Sequence, residues 1–436
     1  MISPAAASLS NLPQTWSTAR VKQLFAERDL RSKEGDEELF SLSKARGLLP
    51  RLEFDTVERA ASLQGYKCFH AGDLVMNKMQ AWNGVFGFAG QQYGIVSPDY
   101  SVFQVIADIE PRFYTYLFKT DLYAGVFGQL ARGMGTAFLR LNTDDFGSVD
   151  VPLPERCDQE RIANFLDEQT ARIDALIAEK ESLLERIAEH QYSYASRLMT
   201  RGMNENTELK PTSASELGDV PTHWTVTRLK FLGEVRSGVA KGKDHGERDT
   251  VRLPYLRVAN VQDGYVDLGE VLDIEVGTHE VERFLLRKGD VLMNEGGDND
   301  KLGRGTVWQG QIDPCVHQNH VFAVRLFDVD LAEWVARYTS TDAARTYFYL
   351  RSKQSTNLAS INQSNVRELP VPMPPDEERK MILEEIRRSA IACEELRIHV
   401  RDHVSRLREY RSSLISAAVT GQIDVCDFRA PAEACA

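Results

Sequence analysis

Basic and amide side chains gather beside glycines at several points of this 436-residue chain. In the first half, SLSKARGLLPR carries Lys44 and Arg46, NKMQAW carries Lys78, and QLARGMGTAFLR carries Arg132, Thr136 and Arg140. In the second, RSGVAKGKDHG carries Lys241 and Lys243, NEGGDNDKLGRGT carries Asn294, Asn299, Lys301 and Arg304, and RSKQSTN carries Lys353 and Gln354. Lysine and arginine on pliable backbone suit phosphate oxygens, arginine and lysine also pair with guanine edges, and Asn or Gln pairs with adenine edges. Such groups recognise a partner without making or breaking bonds. These residues are the candidate contacts to a nucleic acid.

Patterns for bond-making chemistry are missing. The stretch nearest to a phosphate-cradling GxxxxGK[ST], GVAKGKD at Gly238, is one residue short and ends in Asp where a hydroxyl is needed. No GxGxxG follows a predicted strand, and neither HExxH nor [DN]PP[YF] occurs. His317 and His320 in CVHQNH have metal-ligand chemistry, but at the mouth of an alternating strand they read as polar loop residues. Asp144 and Asp145 read as turn formers. The cysteines at 68, 157, 315, 393, 426 and 435 are scattered, without a CxxC pair or a metal-ligand spacing. No catalytic residue, metal ligand or cofactor on this chain is expected. A net charge of -12 disfavours indiscriminate polyanion binding, so any contact must come from local patches. No run approaches the roughly 20 apolar residues of a membrane span, and MISPAAASLSNLPQTW lacks a leader's basic-then-apolar layout. The expectation is a cytoplasmic protein without membrane association.

The elements that must hold these groups are written twice. Trp16 precedes ARVKQLF and Trp224 precedes TRLKFLG; GDLVMN starts at Gly72 and GDVLMN at Gly289. YSVFQV ends at Val105 and HVFAVRL at Leu326; GTAFLRLN ends at Asn142 and STNLASIN at Asn362; VPLPERCDQER starts at Val151 and VPMPPDEER at Val371. Matches in unchanged order indicate a duplicated domain. Within each copy, FHAGDLVMN and LLRKGDVLMN predict a turn leading into a strand, with Gly72 and Gly289 at the tight position. PRFYTYLFKTDLYAGVFGQL and LAEWVARYTSTDAARTYFYL predict amphipathic helix. Each half reads as a compact α/β domain (α+β mixed) of roughly 150 residues.

A different pattern follows each VPxP. The prolines cannot donate to a ladder and hold their predecessors extended, so they separate a last strand from a helix. Asp158 and Asp376 are placed to cap the helix starts. In the first helix Leu166, Ile173, Leu176, Leu183 and Ile187 fall on heptad a and d positions. In the second Ile386, Cys393, Val400, Leu407 and Leu414 lie seven apart, with Ile382, Leu396 and Tyr410 as companions. Each is the narrow seam of a coiled coil, over about 35 residues or roughly 50 Å. Antiparallel pairing would carry the two domains to opposite ends about a pseudo-two-fold axis. The predicted division is 1–154 and 204–374 for the domains, 155–203 and 375–425 for the helices, and 426–436 for a tail. Such a caliper suits a partner with two similar sites, as double-stranded DNA offers with half-sites about 34 Å or a multiple apart. A scaffold that pairs two copies of a protein without DNA is the alternative.

In combination these phrases resemble the specificity (S) subunit of type I restriction-modification systems over nearly the whole chain. The resemblance is carried by the paired VPLPERCDQERIANFLDEQTARIDALI and VPMPPDEERKMILEEI, by SRLMTRGMN with the later GDVPTHWTVTRLK, and by YRSSLISAAVTGQIDV. NKMQAWNGVFGFAGQQYGIVSPDY is similar to one common variety of the family's target recognition domain. The resemblance implies two target recognition domains, each reading half of a bipartite DNA sequence, held apart by a coiled-coil spacer. It also implies a non-catalytic subunit. Two modification subunits would bring S-adenosylmethionine and methylate adenine, and two restriction subunits would add ATP- and Mg-dependent translocation and cleavage. Because GLLPRLEF and NKMQAW find no counterpart in VAKGKDHG and GGDNDKLGRG, an asymmetric target is expected.

Overall fold

The computed structural model describes residues 12–44, 46–51, 62–133, 139–242, 249–297, 302–354 and 359–425. The chain forms two compact units, residues 1–181 with 401–436 and residues 182–400.

In the first unit a four-stranded antiparallel sheet runs in the order β1 (Phe25–Arg28), β4 (Tyr100–Val105), β2 (Leu74–Asn77), β3 (Phe86–Phe88). In the second, β5 (Gly233–Ser237), β8 (Val321–Leu326), β6 (Val291–Asn294) and β7 (Gly305–Val307) repeat that order, again antiparallel. Antiparallel ladders with helices set after the strands make α+β the fitting description of each unit. The Gly-Asp phrase builds the predicted turn in both. Gly72 and Gly289 have φ of 84° and 94°, and a Cβ on Gly289 would meet Val329 Cγ2 at 2.5 Å. The next carboxylate turns inward and accepts the N–H three residues back, from His70 to Asp73 and from Arg287 to Asp290. Asp290 also takes Arg325 through Nε and Nη2 at 2.8 and 2.6 Å. Asp290→Asn should therefore cost the second unit about 2 kcal/mol, a charged hydrogen bond lost beside a partly exposed guanidinium, read as a lower urea midpoint.

Each predicted amphipathic helix is two. The first stretch forms α1 (Pro111–Phe118) and α2 (Asp121–Leu130), broken where Thr120 accepts the Tyr123 N–H. α4 (Ala332–Tyr338) and α5 (Asp342–Arg351) break the same way, with Thr341 accepting from Ala344. The Thr-Asp pairs in KTD and STD are an N-cap followed by an acidic first-turn residue, a signal the apolar spacing masked. The VPxP strands close each unit: Asp150–Leu153 pairs with Ser17–Arg20, and Pro370–Met373 with Thr225–Arg228. A buried aromatic donor holds each phrase, Tyr114 Oη to the Pro152 carbonyl at 3.2 Å and Trp334 Nε1 to the Pro372 carbonyl at 2.9 Å.

The long helices are α3 (Arg156–Arg201, 46 residues) and α6 (Asp376–Val419, 44 residues), longer than the heptad seam of about 35 residues because their ends enter the cores. Ile162, Leu166, Ile415 and Ala418 lie in the first unit's core, and Leu198, Met199, Ile382 and Ile386 in the second's. The start of one helix thus meets the end of the other in each core, an antiparallel pairing. Arg411–Asp174 and Arg408–Glu181 ion pairs at 2.8 and 2.7 Å lace the pair in the first unit. Asp158 and Asp376 lie inside the first turns instead of preceding them, where they take Arg161 and Arg379.

Part of the predicted seam is corrected. Leu166, Ile173, Ile187, Ile386 and Val400 are buried, and Leu183, Leu407 and Leu414 are half-buried. Leu176, Leu396 and Tyr410, however, are 44%, 48% and 57% exposed. In their place Val404 and Ala418, four residues after heptad a positions, are buried. A helix with 3.6 residues per turn drifts about 20° per heptad against a strict seven-residue repeat. Over two and a half heptads the buried stripe passes from a with d to a with the next position on.

Candidate nucleic-acid interface

In the first unit the chain leaves β2 into a loop whose far end is the short 3-10 turn Ala81–Asn83. Lys44 donates to Asn83 Oδ1 at 2.8 Å, and the Lys78 carbonyl accepts the Leu141 N–H. Arg132 and Arg140 exchange two backbone hydrogen bonds of 2.9 Å, so they stand side by side at the foot of one loop. Arg140 Nε reaches Met79 Sδ, its Nη2 pairs with Asp99, and Arg132 pairs with Asp145. The fold thus gathers Lys44, Lys78, Arg132 and Arg140, drawn from three stretches, around the loop after β2. Lys44, Arg46, Arg132 and Arg140 are exposed. Lys78 is half-buried, and burial with Lys67 nearby holds its ammonium below the usual range. Thr136 lies outside the described residues.

The second unit repeats this junction with other residues. The chain leaving β6 pairs Gly296–Gly297 with Ala359–Ser360, which in turn pairs with Lys353–Gln354. The Glu295 carbonyl accepts the Ile361 N–H, as Lys78 accepts Leu141. Lys353 and the backbone of Gln354 are therefore brought beside the loop after β6. Asn294 turns inward: it is 2% exposed and donates Nδ2 to the Val261 carbonyl at 2.9 Å. Arg304 is half-buried and donates to Gln262 Oε1 at 3.2 Å. These two hold the ends of their loop against the Val261–Gln262 turn. Lys241 is exposed on a loop whose Val239 hydrogen-bonds with His317 and Asn319. Lys243, Asn299, Lys301 and the side chain of Gln354 lie outside the described residues.

Asn83, Asp99 and Glu295 went unmarked in the sequence although they fasten these loops, whereas His320 is the polar loop residue expected. His320 Nδ1 lies 2.6 Å from Glu295 Oε2, and nothing in the local sequence pairs them. His317 is a core residue, 1% exposed, with its Nδ1–H donating to the Val321 carbonyl. Burial, with Arg236 adding to it, lowers its pKa to about 4. The unfolded chain takes up this proton near pH 6.5, so the stability is present above that and lost as pH falls towards about 4. The second unit should lose up to about 1.4 kcal/mol per pH unit through that window, and His317→Gln should flatten the slope of urea midpoint against pH. Among the described residues no group of three or more His, Cys, Asp or Glu is arranged to hold a metal, and no helix is long and apolar enough to cross a membrane.

Residues 63–186 match the type I restriction modification DNA specificity domain. That stretch holds the loop after β2, the Arg132–Arg140 pair and the first half of α3. The chain is similar to type I specificity subunits. The EcoKI specificity subunit of Escherichia coli K12 is 21% identical over 76% of this chain and 68% of its own length. The StySPI subunit of Salmonella potsdam is 22% identical over 72% of this chain and 66% of its own. The MjaX subunit of Methanocaldococcus jannaschii is 26% identical over 38% of this chain and 40% of its own. The same fold occurs in a chain from a structure of type I restriction-modification complex assembly, with TM-score 0.65 over 95% of this chain and all of that one at 14% identity. The HsdS subunit from Thermoanaerobacter tengcongensis gives 0.50 over 94% and 98%, also at 14% identity.

Proposed function

We propose that this chain is the DNA sequence-recognition subunit of a type I restriction-modification complex. It binds a bipartite, asymmetric DNA site and directs adenine methylation or ATP-dependent cleavage by partner subunits, carrying out no chemistry itself. One observation supports this above the others: two units share a strand order and the same ladder junction, yet place Lys78, Arg132 and Arg140 there in one and Glu295, Lys353 and Ser360 in the other. Scaffolds that share this order and junction but carry unlike loops read unlike half-sites.

Residues 1–154 and 204–374 then serve as target recognition domains, with α3 and α6 as the spacer between them. Two modification subunits supply S-adenosylmethionine and two restriction subunits supply ATP- and Mg-dependent work, in the cytoplasm. Exposed cations, Lys44, Arg46, Arg132, Arg140, Lys241 and Lys353, make the DNA contacts, while Asn294 and Arg304 position their loop. Footprinting the complex with its modification partner tests the reading. A protected site in two unlike parts is expected, and a featureless or absent footprint refutes it. Charge reversal at Lys241, Lys243 and Lys301 should weaken DNA binding and leave subunit assembly unchanged, the opposite of what a protein-only scaffold requires.

A further inference from the structure

In the first unit a cleft of about 790 Å³ opens between the sheet-bearing fold and the long helices, with neither Arg132 nor Arg140 in its lining. Lys44 and Arg46 enter it from one wall, Arg112 from the first turn of α1, Lys119 from just past its end, and Arg408 and Arg411 from α6. Most of this charge is already matched within the protein. Arg112 pairs with Glu110 and Asp167, Arg408 with Glu181, and Arg411 with Asp174.

Lys119 is the exception. Among the described residues its ammonium has no carboxylate partner and no hydrogen-bond acceptor, although it is half-buried and the cleft also holds Asp121. Gly47 flanks the ammonium, a Cβ built there lying 3.8 Å from Lys119 Nζ, in ordinary contact. A cation withdrawn from water without a partner is costly. The second unit resolves the same position differently. Aligning the N-caps Thr120 and Thr341 sets Lys119 against Ser340, which donates to Asp263, and Asp263 also takes Arg345 at 3.0 Å. That unit supplies its own carboxylate, whereas the first presents a cation facing an open cleft.

We propose that the cleft binds a phosphate group, with Lys119 as its central cation and Lys44 and Arg411 beside it. The group is either a free phosphate-bearing solute or a backbone phosphate of bound DNA. Burial and the nearby Arg411 lower the Lys119 pKa to about 8, so the empty site leaves its amine open to acylation at mildly alkaline pH.

The test is pulsed acetylation of the full chain at pH 8, read per lysine by mass spectrometry. It is run with inorganic phosphate against chloride at equal ionic strength, and separately with a 30-base-pair duplex in phosphate-free buffer. Saturable protection of Lys119, with exposed Lys380 unprotected by phosphate, is expected. Lys44→Met should weaken the apparent phosphate affinity by about tenfold, the size of one charge-assisted hydrogen bond. Protection by the duplex identifies the DNA backbone as the source, and protection by phosphate alone identifies a solute. Equal reactivity of Lys119 under all conditions overturns the proposal. An intact footprint with unprotected Lys119 refutes the cleft and leaves the recognition reading standing, and protection without a footprint does the reverse.

Discussion

Replacing Trp334 by alanine is expected to destabilise the second unit by about 3–5 kcal/mol. The indole is fully buried on α4, edge-on to Trp224 at 6.1 Å between centroids, with Nε1 donating to the Pro372 carbonyl. Truncation opens a cavity among Trp224, Val371 and Ile382, which share this core, and leaves a carbonyl of the VPMP strand without its donor. The cost falls where the domain hands over to α6, because Pro372 belongs to the strand that runs into that helix. Urea unfolding should show a lower midpoint for a transition assigned to the second unit. Tyr114→Phe in the first unit removes only the hydroxyl that meets Pro152 and should cost about 1 kcal/mol. Equal losses for the two variants would contradict this account of how the repeated phrase is anchored.

The second large effect concerns the proposed spacer. Four residues inserted after Ala178 in α3 and four after Glu409 in α6 fall between the Asp174–Arg411 and Glu181–Arg408 ion pairs. Both pairs then survive, and the helix pair gains about 6 Å. Four residues turn an α-helix by about 40° beyond a full turn, so the apolar stripe is nearly kept. At about 3.4 Å per base pair, the preferred gap between half-sites should widen by one or two base pairs, with the half-sites themselves unchanged. Mapping methylated adenines in a host carrying the variant measures this. An unaltered gap refutes the spacer as a ruler.

The repeat is the part of the architecture most open to sequence reading. GDLVMN and GDVLMN became the same turn and central strand because a left-handed glycine and a buried aspartate act within a few residues. The Thr120 and Thr341 breaks were also local, in the Thr-Asp pairs, but lay under an apolar spacing that continues through them. Leu176, Leu396 and Tyr410 were misplaced for another reason. Heptad counting assumes a supercoil that keeps one seam, and these helices drift.

By itself, the sequence determined that one domain is written twice, that a long helix follows each copy, and that the loops between them differ, because hydrophobic period, proline and glycine act over short range. Only the tertiary structure decided which of the candidate residues do what. Asn294 became a loop brace, His317 a core residue, and Lys119 a cation without a partner. Each outcome depends on a sequence-distant neighbour, Val261 for Asn294, Leu256 for His317 and Arg411 for Lys119, and a one-dimensional pattern records no such distances.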